Sequence, residues 1–158
     1  MTSKVSRNVK LDEISLKILR CVQENPKIRI RDLANKLAIP KSTVYYKMRK
    51  LEELGVIKGY NAILDSEKLG FEYLVIILVR GRYGPKYHEE IGKFLSKNPY
   101  IQAIYYVLGE TDFVVIGKFP CKEKYMEFLE SLINSQFIER SSTMVIAKVI
   151  KEDFKLNI

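Results

Sequence analysis

The chain of 158 residues contains one histidine and two cysteines, and this scarcity excludes several kinds of site. With only His88 and no Cys-x-x-Cys pair, neither a zinc site nor a histidine-based catalytic triad can easily be assembled. Cys21 and Cys121 lie in different halves of the chain, which favours free thiols over a disulfide. We therefore expect no metal site, no cofactor and no enzymatic activity.

The sequence also lacks an apolar run long enough to cross a bilayer, and residues 1–7 lack the apolar stretch of a secretion signal. Its apolar share of 47% is that of a globular protein with a real core. We expect a cytoplasmic protein of one ordinary domain or two small ones, with no membrane partner.

The positive charge is confined to one half of the chain. Residues 1–64 hold 14 Lys/Arg and 6 Asp/Glu, whereas residues 65–158 hold 13 of each. The whole net charge of +8 therefore belongs to the first segment. Such segregation indicates a phosphate-binding module joined to a neutral one, which a generally basic surface would not predict.

The basic half contains a helix-turn-helix pattern in residues 30–51. Two apolar stripes at helical spacing are separated by Pro40, where a helix can start but cannot continue. The stripes consist of Leu33, Ala34 and Leu37, and of Val44, Met48 and Leu51. The second helix of this motif enters the DNA major groove, so double-stranded DNA is the expected partner.

Neighbouring segments complete a small head. Asp12 can cap a preceding helix that ends at Asn25-Pro26, and Gly55 can close the third helix in a left-handed conformation. Residues 56–64 are β-rich and predict a wing or hinge strand. The turn at 65–70 marks a domain boundary.

The second half alternates strands and helices. Strands are predicted at residues 73–79, 101–108, 113–119 and 143–150, and helices at 87–95 and 122–133. This order is the ferredoxin-like βαββαβ arrangement, with both helices on one face of a four-stranded antiparallel sheet. The last strand is apolar on both sides, which predicts a central position or a subunit contact.

The predicted fold class is α+β, with an N-terminal winged helix-turn-helix domain followed by a ferredoxin-like domain. The domains are expected at residues 1–55 and 71–158, with a β hinge at 56–70. One face of the sheet would be apolar and uncovered, and pairing with a second copy would bury it. We therefore expect a homodimer, which fits two half-sites on DNA.

The chain resembles the Lrp/AsnC, or feast/famine, family of prokaryotic transcription regulators. The resemblance extends from about Leu11 to Lys151 and is specific through five segments in order. They are LDEISLKIL at 11–19, STVY at 42–45, LEELGVIKGY at 51–60, LDSEKLG at 64–70 and GETD at 109–112.

The resemblance implies a regulator that binds promoter DNA as a dimer or larger ring, often an octamer. It implies a small effector, usually an amino acid, bound in the C-terminal (RAM) domain. Three positions depart from the family's pattern. Arg29 stands where the family usually has a hydroxyl residue as helix cap, and Ala38 occupies a turn position that is often glycine. Tyr46 replaces an arginine that is common in the recognition helix, so the DNA sequences bound by relatives are not expected to apply to this chain.

The outward side of the predicted recognition helix supplies the candidate DNA contacts. Ser42, Thr43, Tyr46 and Lys47 are expected near base edges, because the first turns of such a helix usually reach the bases. The expected phosphate contacts are Arg31, Lys41, Arg49 and Lys50. Tyr45 is expected inside the head, and a merely solvated basic surface stays the alternative for any single residue.

The hairpin at 109–112 is the candidate effector site. Gly109 would allow close approach of a ligand to the backbone, and Asp112 would offer its carboxylate to an amino group. The same pocket is expected to include Tyr106, Glu110, Thr111 and, by the resemblance, Ser141, Ser142 and Thr143 between subunits. The alternative is a plain hairpin in which Asp112 serves its own turn.

Two other functions remain open at this point. The two-domain architecture also resembles haem-pathway sirohaem decarboxylases. Such an enzyme would need buried acid–base or cationic groups, and the sequence offers only His88, which is expected on the surface of a helix. A largely non-specific DNA-organising protein would share the basic helix-turn-helix.

Overall fold

The protein, described by a computed structural model over residues 9–158, divides into two units. The first consists of the described residues up to Ile63 together with Asp153–Ile158. The second consists of Leu64–Glu152. Within the described residues, no helix has the length and apolarity that spanning a bilayer requires.

Three helices form the first unit: α1 (Glu13–Glu24), α2 (Ile30–Leu37) and α3 (Lys41–Glu53). They follow from the apolar stripes, which meet in one buried core. Its members are Ile18, Leu19, Cys21, Val22, Leu33, Ala34, Val44 and Leu51. The two helices predicted within residues 30–51 are present, and the second extends to Glu53.

The residues at the ends of α1 and α2 explain how each end is capped. The Asp12 side chain accepts a hydrogen bond from the Ser15 backbone N–H at 2.8 Å and so caps α1. Arg29 makes no side-chain cap for α2, as expected for a donor-only side chain. Ala38 has φ 53° and ψ 44°, so this left-handed turn carries the strain that a glycine would avoid.

The prediction of a strand at residues 56–64 is wrong for the structure as described, which has no strand between α3 and the second unit. Gly55 has φ 68°, and Val56 and Ile57 turn back to donate hydrogen bonds to the Leu51 carbonyl. Residues 58–65 form no regular secondary structure. A β-rich sequence forms a strand only where another backbone edge is available to it.

The last residues of the chain belong to the first unit. Gln23 and Leu156 exchange two hydrogen bonds, at 2.7 Å and 3.1 Å, and Arg20 donates to the Ile158 carbonyl. Ile158 also packs against the helical core. Asp153–Ile158 are therefore structural members of the helical unit, although the sequence analysis assigned them to the second domain at residues 71–158.

The second unit is a ferredoxin-like α+β fold. Its elements are β1 (Tyr73–Gly81), α4 (Tyr87–Leu95), β2 (Ile101–Tyr106), β3 (Phe113–Phe119), α5 (Lys122–Ile133) and β4 (Ile138–Val145). The sheet order is β2-β3-β1-β4, and every neighbouring pair is antiparallel. Element types and order agree with the prediction.

The last strand differs from its predicted position. β4 covers Ile138–Val145 rather than 143–150, and it lies at an edge of the sheet, so a central position is wrong. The polar residues 139–142 predict a loop from the sequence alone. In the structure this segment belongs to a strand because it pairs with β1. The apolar run that suggested a strand lies mostly beyond its end.

The two faces of the sheet differ in what covers them. Val75, Ile77 and Val79 of β1 are fully buried against α4 and α5. Side chains alternate along a strand, so Leu74, Ile76 and Leu78 lie on the opposite face, where they are half-buried. We call this second surface the helix-free face. Register places further apolar residues there, namely Ala103, Tyr105, Val114, Ile116 and Met144.

Candidate nucleic-acid interface and effector site

The outward side of α3 is set by the residues that it buries. Val44 and Leu51 are inaccessible in the helical core. At 100° per residue, the opposite side of the helix carries Ser42, Tyr46 and Arg49. All three are exposed, and the Tyr46 side chain retains 64% of its accessibility.

Most of the predicted DNA contacts lie on accessible surface. Arg31, Lys41, Ser42, Tyr46, Arg49 and Lys50 are exposed, and Thr43 is half-buried. Arg49 lies 3.9 Å from Glu53, an exposed ion pair one turn along α3, and such a pair constrains the arginine little. Cationic donors and a hydroxyl therefore share one helix surface.

Lys47 is arranged differently from the other predicted contacts. Its side chain is only 17% exposed, and its ammonium forms an ion pair with Asp12, the cap of α1. Hydrogen bonds from Lys47 and from Ser15 hold the pKa of the Asp12 carboxyl well below its usual range. Lys47 thus joins α3 to the start of α1. The sequence could not indicate this contact, because 35 residues separate the partners.

Tyr45 corrects the expectation that it packs inside the head, since it is 54% exposed. It lies beside Tyr46 on the accessible surface of α3. The two rings line a shallow groove with Arg49, Lys50, Glu53 and Leu54. An aromatic pair is therefore available on this helix next to the cations.

The predicted effector hairpin connects β2 to β3. The Val107 N–H donates to the Asp112 carbonyl at 2.8 Å, and Gly109 has φ 152°, a conformation that favours glycine. The Thr111 hydroxyl donates to the Val79 carbonyl at 2.9 Å, which holds the hairpin to the end of β1. Glu110 is exposed at the tip.

Asp112 uses its carboxylate inside the protein. One oxygen accepts the Gly81 backbone N–H at 2.7 Å, the other accepts the Tyr87 hydroxyl at 3.3 Å, and the residue is buried. The Tyr106 hydroxyl lies 3.2 Å from that of Tyr87, and this hydrogen bond raises the pKa of Tyr87 above its ordinary value. This arrangement favours the alternative in which Asp112 holds its own hairpin in place.

The three predicted residues of the last strand do not share one face. Register pairs Ser142 with Leu78 on the helix-free face, whereas Ser141 and Thr143 point toward the helices. The Thr143 hydroxyl accepts a hydrogen bond from Tyr125 of α5 at 2.7 Å. A ligand on the helix-free face could therefore meet only Ser142 of this group.

Arg80 lies next to this hairpin and is absent from the predicted site. A guanidinium nitrogen is 3.5 Å from the Glu110 carbonyl oxygen, and its Cα register partner on β4 is Arg140. The sequence did contain a signal, since Arg80 is the first charged residue after the continuous apolar run at 73–79. Its relevance depends on the fold, which brings residues 80, 110 and 140 to one end of the sheet.

The remaining candidates have ordinary surroundings. Among the described residues no cluster of His, Cys, Asp or Glu has the arrangement of a metal site, and both cysteines are free. His88 is exposed on α4 and stacks on Tyr106, with ring centroids 5.3 Å apart.

Comparison with protein families agrees with this architecture. A model described as winged helix-turn-helix DNA-binding matches residues 11–58, and one described as the Lrp/AsnC ligand binding domain matches residues 74–156. The chain belongs to the Lrp/AsnC family. This Lrp/AsnC protein is therefore a helix-turn-helix transcription regulator with a ligand-binding domain, which confirms the predicted family, fold class and regulatory function.

Relatives of this Lrp/AsnC protein align over nearly their whole length. HTH-type transcriptional regulator FL11 of Pyrococcus horikoshii is 36% identical, over 95% of this chain and 98% of its own. The leucine-responsive regulatory protein of Haemophilus influenzae is 31% identical, over 92% and 89%.

Solved structures show the same fold. An AsnC family transcriptional regulator from Agrobacterium tumefaciens superposes with a TM-score of 0.85 at 25% identity, covering 92% of this chain and 96% of its own. A transcriptional regulator from Neisseria meningitidis, solved as a complex with L-Met, gives a TM-score of 0.86 at 24% identity, with coverage of 93% and 96%.

Proposed function

We propose that the protein binds promoter DNA through α3 as a homodimer or a larger assembly of dimers, and that a small effector modulates this binding. The observation that carries the DNA role is the accessible side of α3, where Ser42, Tyr46 and Arg49 lie opposite the buried Val44 and Leu51. Phosphate contacts would orient the helix, and side chains in its first turns would meet base edges. The proposed phosphate contacts are Arg31, Lys41, Arg49 and Lys50.

Dimerisation through the second unit is supported by the helix-free face. Leu74, Ile76 and Leu78 line it along β1, and Ile116 lies beside them on β3. Contiguous apolar surface of this kind is rarely left in contact with water. A second copy would cover it by an isologous contact and present two copies of α3 to two half-sites.

An amino acid is the proposed effector class. The support comes from relatives, one named leucine-responsive and one solved with L-Met, together with the family's ligand-binding domain in this chain. The proposed location is the 107–112 hairpin with Ser142. Asp112 acts there through the hairpin's shape, because its carboxylate already accepts two internal hydrogen bonds. A regulator of this kind would act in the cytoplasm, where the DNA is.

The DNA role is tested by selecting bound duplexes from a random library and measuring affinity by fluorescence anisotropy at one salt concentration. The selected duplex is expected to bind at least about a thousandfold more tightly than random duplex. Equal affinity for both would identify a non-specific DNA-organising protein instead. Turnover of added sirohaem would revive the decarboxylase alternative.

The dimer is tested by Ile76→Asp, which places a charge on the helix-free face. We expect sedimentation to show a dimer or larger species for the unchanged protein and a monomer for this variant. Lys93→Asp, on the exposed surface of α4, is the matched control and should leave assembly unchanged. A monomeric unchanged protein would contradict the assembly.

A further inference from the structure

Two arginines face each other at the hairpin end of the sheet. We propose that Arg80 and Arg140, with Ser142 beside them, form an anion-binding site that takes the carboxylate of a small-molecule ligand. This inference deepens the proposed effector function and rests on it. It assigns the contact with the ligand to side chains outside the 107–112 hairpin.

The register of β1 and β4 puts the three side chains together. Arg80 is the Cα partner of Arg140, and Leu78 is the partner of Ser142, so all of them project from the helix-free face. Directly opposite residues have Cβ atoms about 5 Å apart, and like charges at that spacing repel each other. An anion between the two guanidinium groups would convert this repulsion into attraction.

The local backbone and hydrogen bonding single out Arg80. The register shifts between Arg80 and Gly81, so Glu139 is an extra residue in β4, and bulges of this kind redirect side chains. Arg80 Nε is buried and has no hydrogen-bond acceptor among the described residues. Glu139 approaches it only to 3.7 Å, beyond hydrogen-bond range. A buried donor without an acceptor destabilises the protein unless something completes it.

The chemistry of the cluster favours a carboxylate. The planar guanidinium group binds carboxylates through paired N–H donors, and a serine hydroxyl adds a further donor. Because Glu139 already offsets part of the positive charge, a singly charged anion fits better than a doubly charged phosphate.

The position of the cluster connects it to the hairpin. Arg80 follows the apolar Leu74, Ile76 and Leu78 on the helix-free face, so it lies at the end of that surface rather than within it. One guanidinium nitrogen also lies 3.5 Å from the Glu110 carbonyl oxygen. An anion bound by Arg80 would compete with this long contact and thereby act on the hairpin.

The test uses the full chain and the twenty L-amino acids, each compared with its amide and its 2-oxo acid, with inorganic phosphate as a further arm. Binding is measured by calorimetry and by the shift in melting temperature. At least one amino acid is expected to bind, with its amide at least tenfold weaker. Binding of the 2-oxo acid would identify the carboxylate alone as sufficient, and its failure would show that the amino group is also required.

Arg80→Gln and Arg140→Gln are each expected to weaken carboxylate binding at least tenfold. Arg82→Gln is the matched control, since Arg82 lies outside the strands, and it should not change binding. Arg140 is exposed, so that variant keeps the test valid if Arg80→Gln misfolds. Arg80→Lys should restore part of the affinity by charge alone.

Three results would overturn the site: no carboxylate binds, the amides bind as well as the acids, or both Gln variants bind as the unchanged protein does. DNA affinity measured in parallel without ligand separates the two proposals. If the unchanged protein binds DNA specifically but binds no carboxylate, only the arginine site is rejected. If the unchanged protein does not bind DNA specifically, the proposed regulatory function itself is rejected.

Discussion

The two units of the chain expose opposite kinds of surface. The helical unit buries its apolar stripes and presents lysine and arginine side chains around α3. The second unit balances its charges and leaves apolar side chains such as Ile76 and Ile116 on the helix-free face. A cationic surface suits a polyanion at long range, and an apolar one suits a complementary copy at contact. The proposed binding of DNA and the proposed assembly of copies would therefore use separate physical forces.

Core truncations should have the largest effects and should be comparable in the two units. Leu33→Ala in the helical core and Ile77→Ala beneath α4 and α5 each empty space around an inaccessible side chain. We expect each change to reduce the free energy of unfolding by about 2–5 kcal/mol, measured by urea denaturation. Ile133→Ala, at a residue 71% exposed, is the control and should change it little.

Charge removal on α3 should separate the units functionally. Arg49→Gln with Lys50→Gln is expected to weaken DNA binding about tenfold and to reduce the slope of log affinity against log salt by about 2, since two phosphate contacts are lost. Lys122→Gln with Lys124→Gln removes equal charge from α5 and should leave the slope unchanged. Lys47 is unsuitable for this test because it also pairs with Asp12. An equal slope in both double variants would remove α3 from the interface.

Among residues 9–158, each unit has one non-glycine residue in the left-handed region, and these positions allow a matched comparison. Ala38 has φ 53° in the helical unit, and Lys86 has φ 57° just before α4. Glycine relieves about 1–2 kcal/mol of conformational strain but adds unfolded-state entropy, so Ala38→Gly and Lys86→Gly should each stabilise by about 0.5–1 kcal/mol. Chemical denaturation gives the values, and a loss of stability in either variant would refute the strain.

The smallest expected effect is the pH dependence of the pair between Asp12 and Lys47. The folded pKa of Asp12 is lowered, so its contribution is present above about pH 4 and is lost as the pH falls toward the folded pKa. Asp12→Asn keeps a good helix cap but cannot hold the charge. Urea titrations should show the stability difference between the two proteins becoming smaller as the pH falls from 7 to 3, without vanishing at pH 3. A constant difference would contradict the ion pair.

The parts of the fold that the sequence predicted well are those with a strong local pattern. The stripe that includes Val44 and Leu51 predicts α3, because a helix buried on one side has apolar residues at helical spacing. The apolar run at 73–79 predicts β1, because a strand with apolar residues on both faces gives a short continuous run. β4 was predicted too far along the chain because an edge strand carrying Glu139 and Arg140 has no such trace.

The parts of the site that the sequence missed depend on distant pairing. Asp112 bonds to Gly81 across 31 residues, and Lys47 reaches Asp12 across 35. The alternation of Ser141, Ser142 and Thr143 could have warned that they do not converge, but only the register with β1 shows which of them faces Arg80. Long-range partners of this kind have no local signal.

The return of Asp153–Ile158 to α1 makes the helical unit discontinuous along the chain. A fragment that stops at Ile63 would omit the partner of Gln23 and the side chain of Ile158. Chimaeras that exchange the N-terminal region between regulators would therefore divide one folded body. They should carry the final six residues along with the helices they graft.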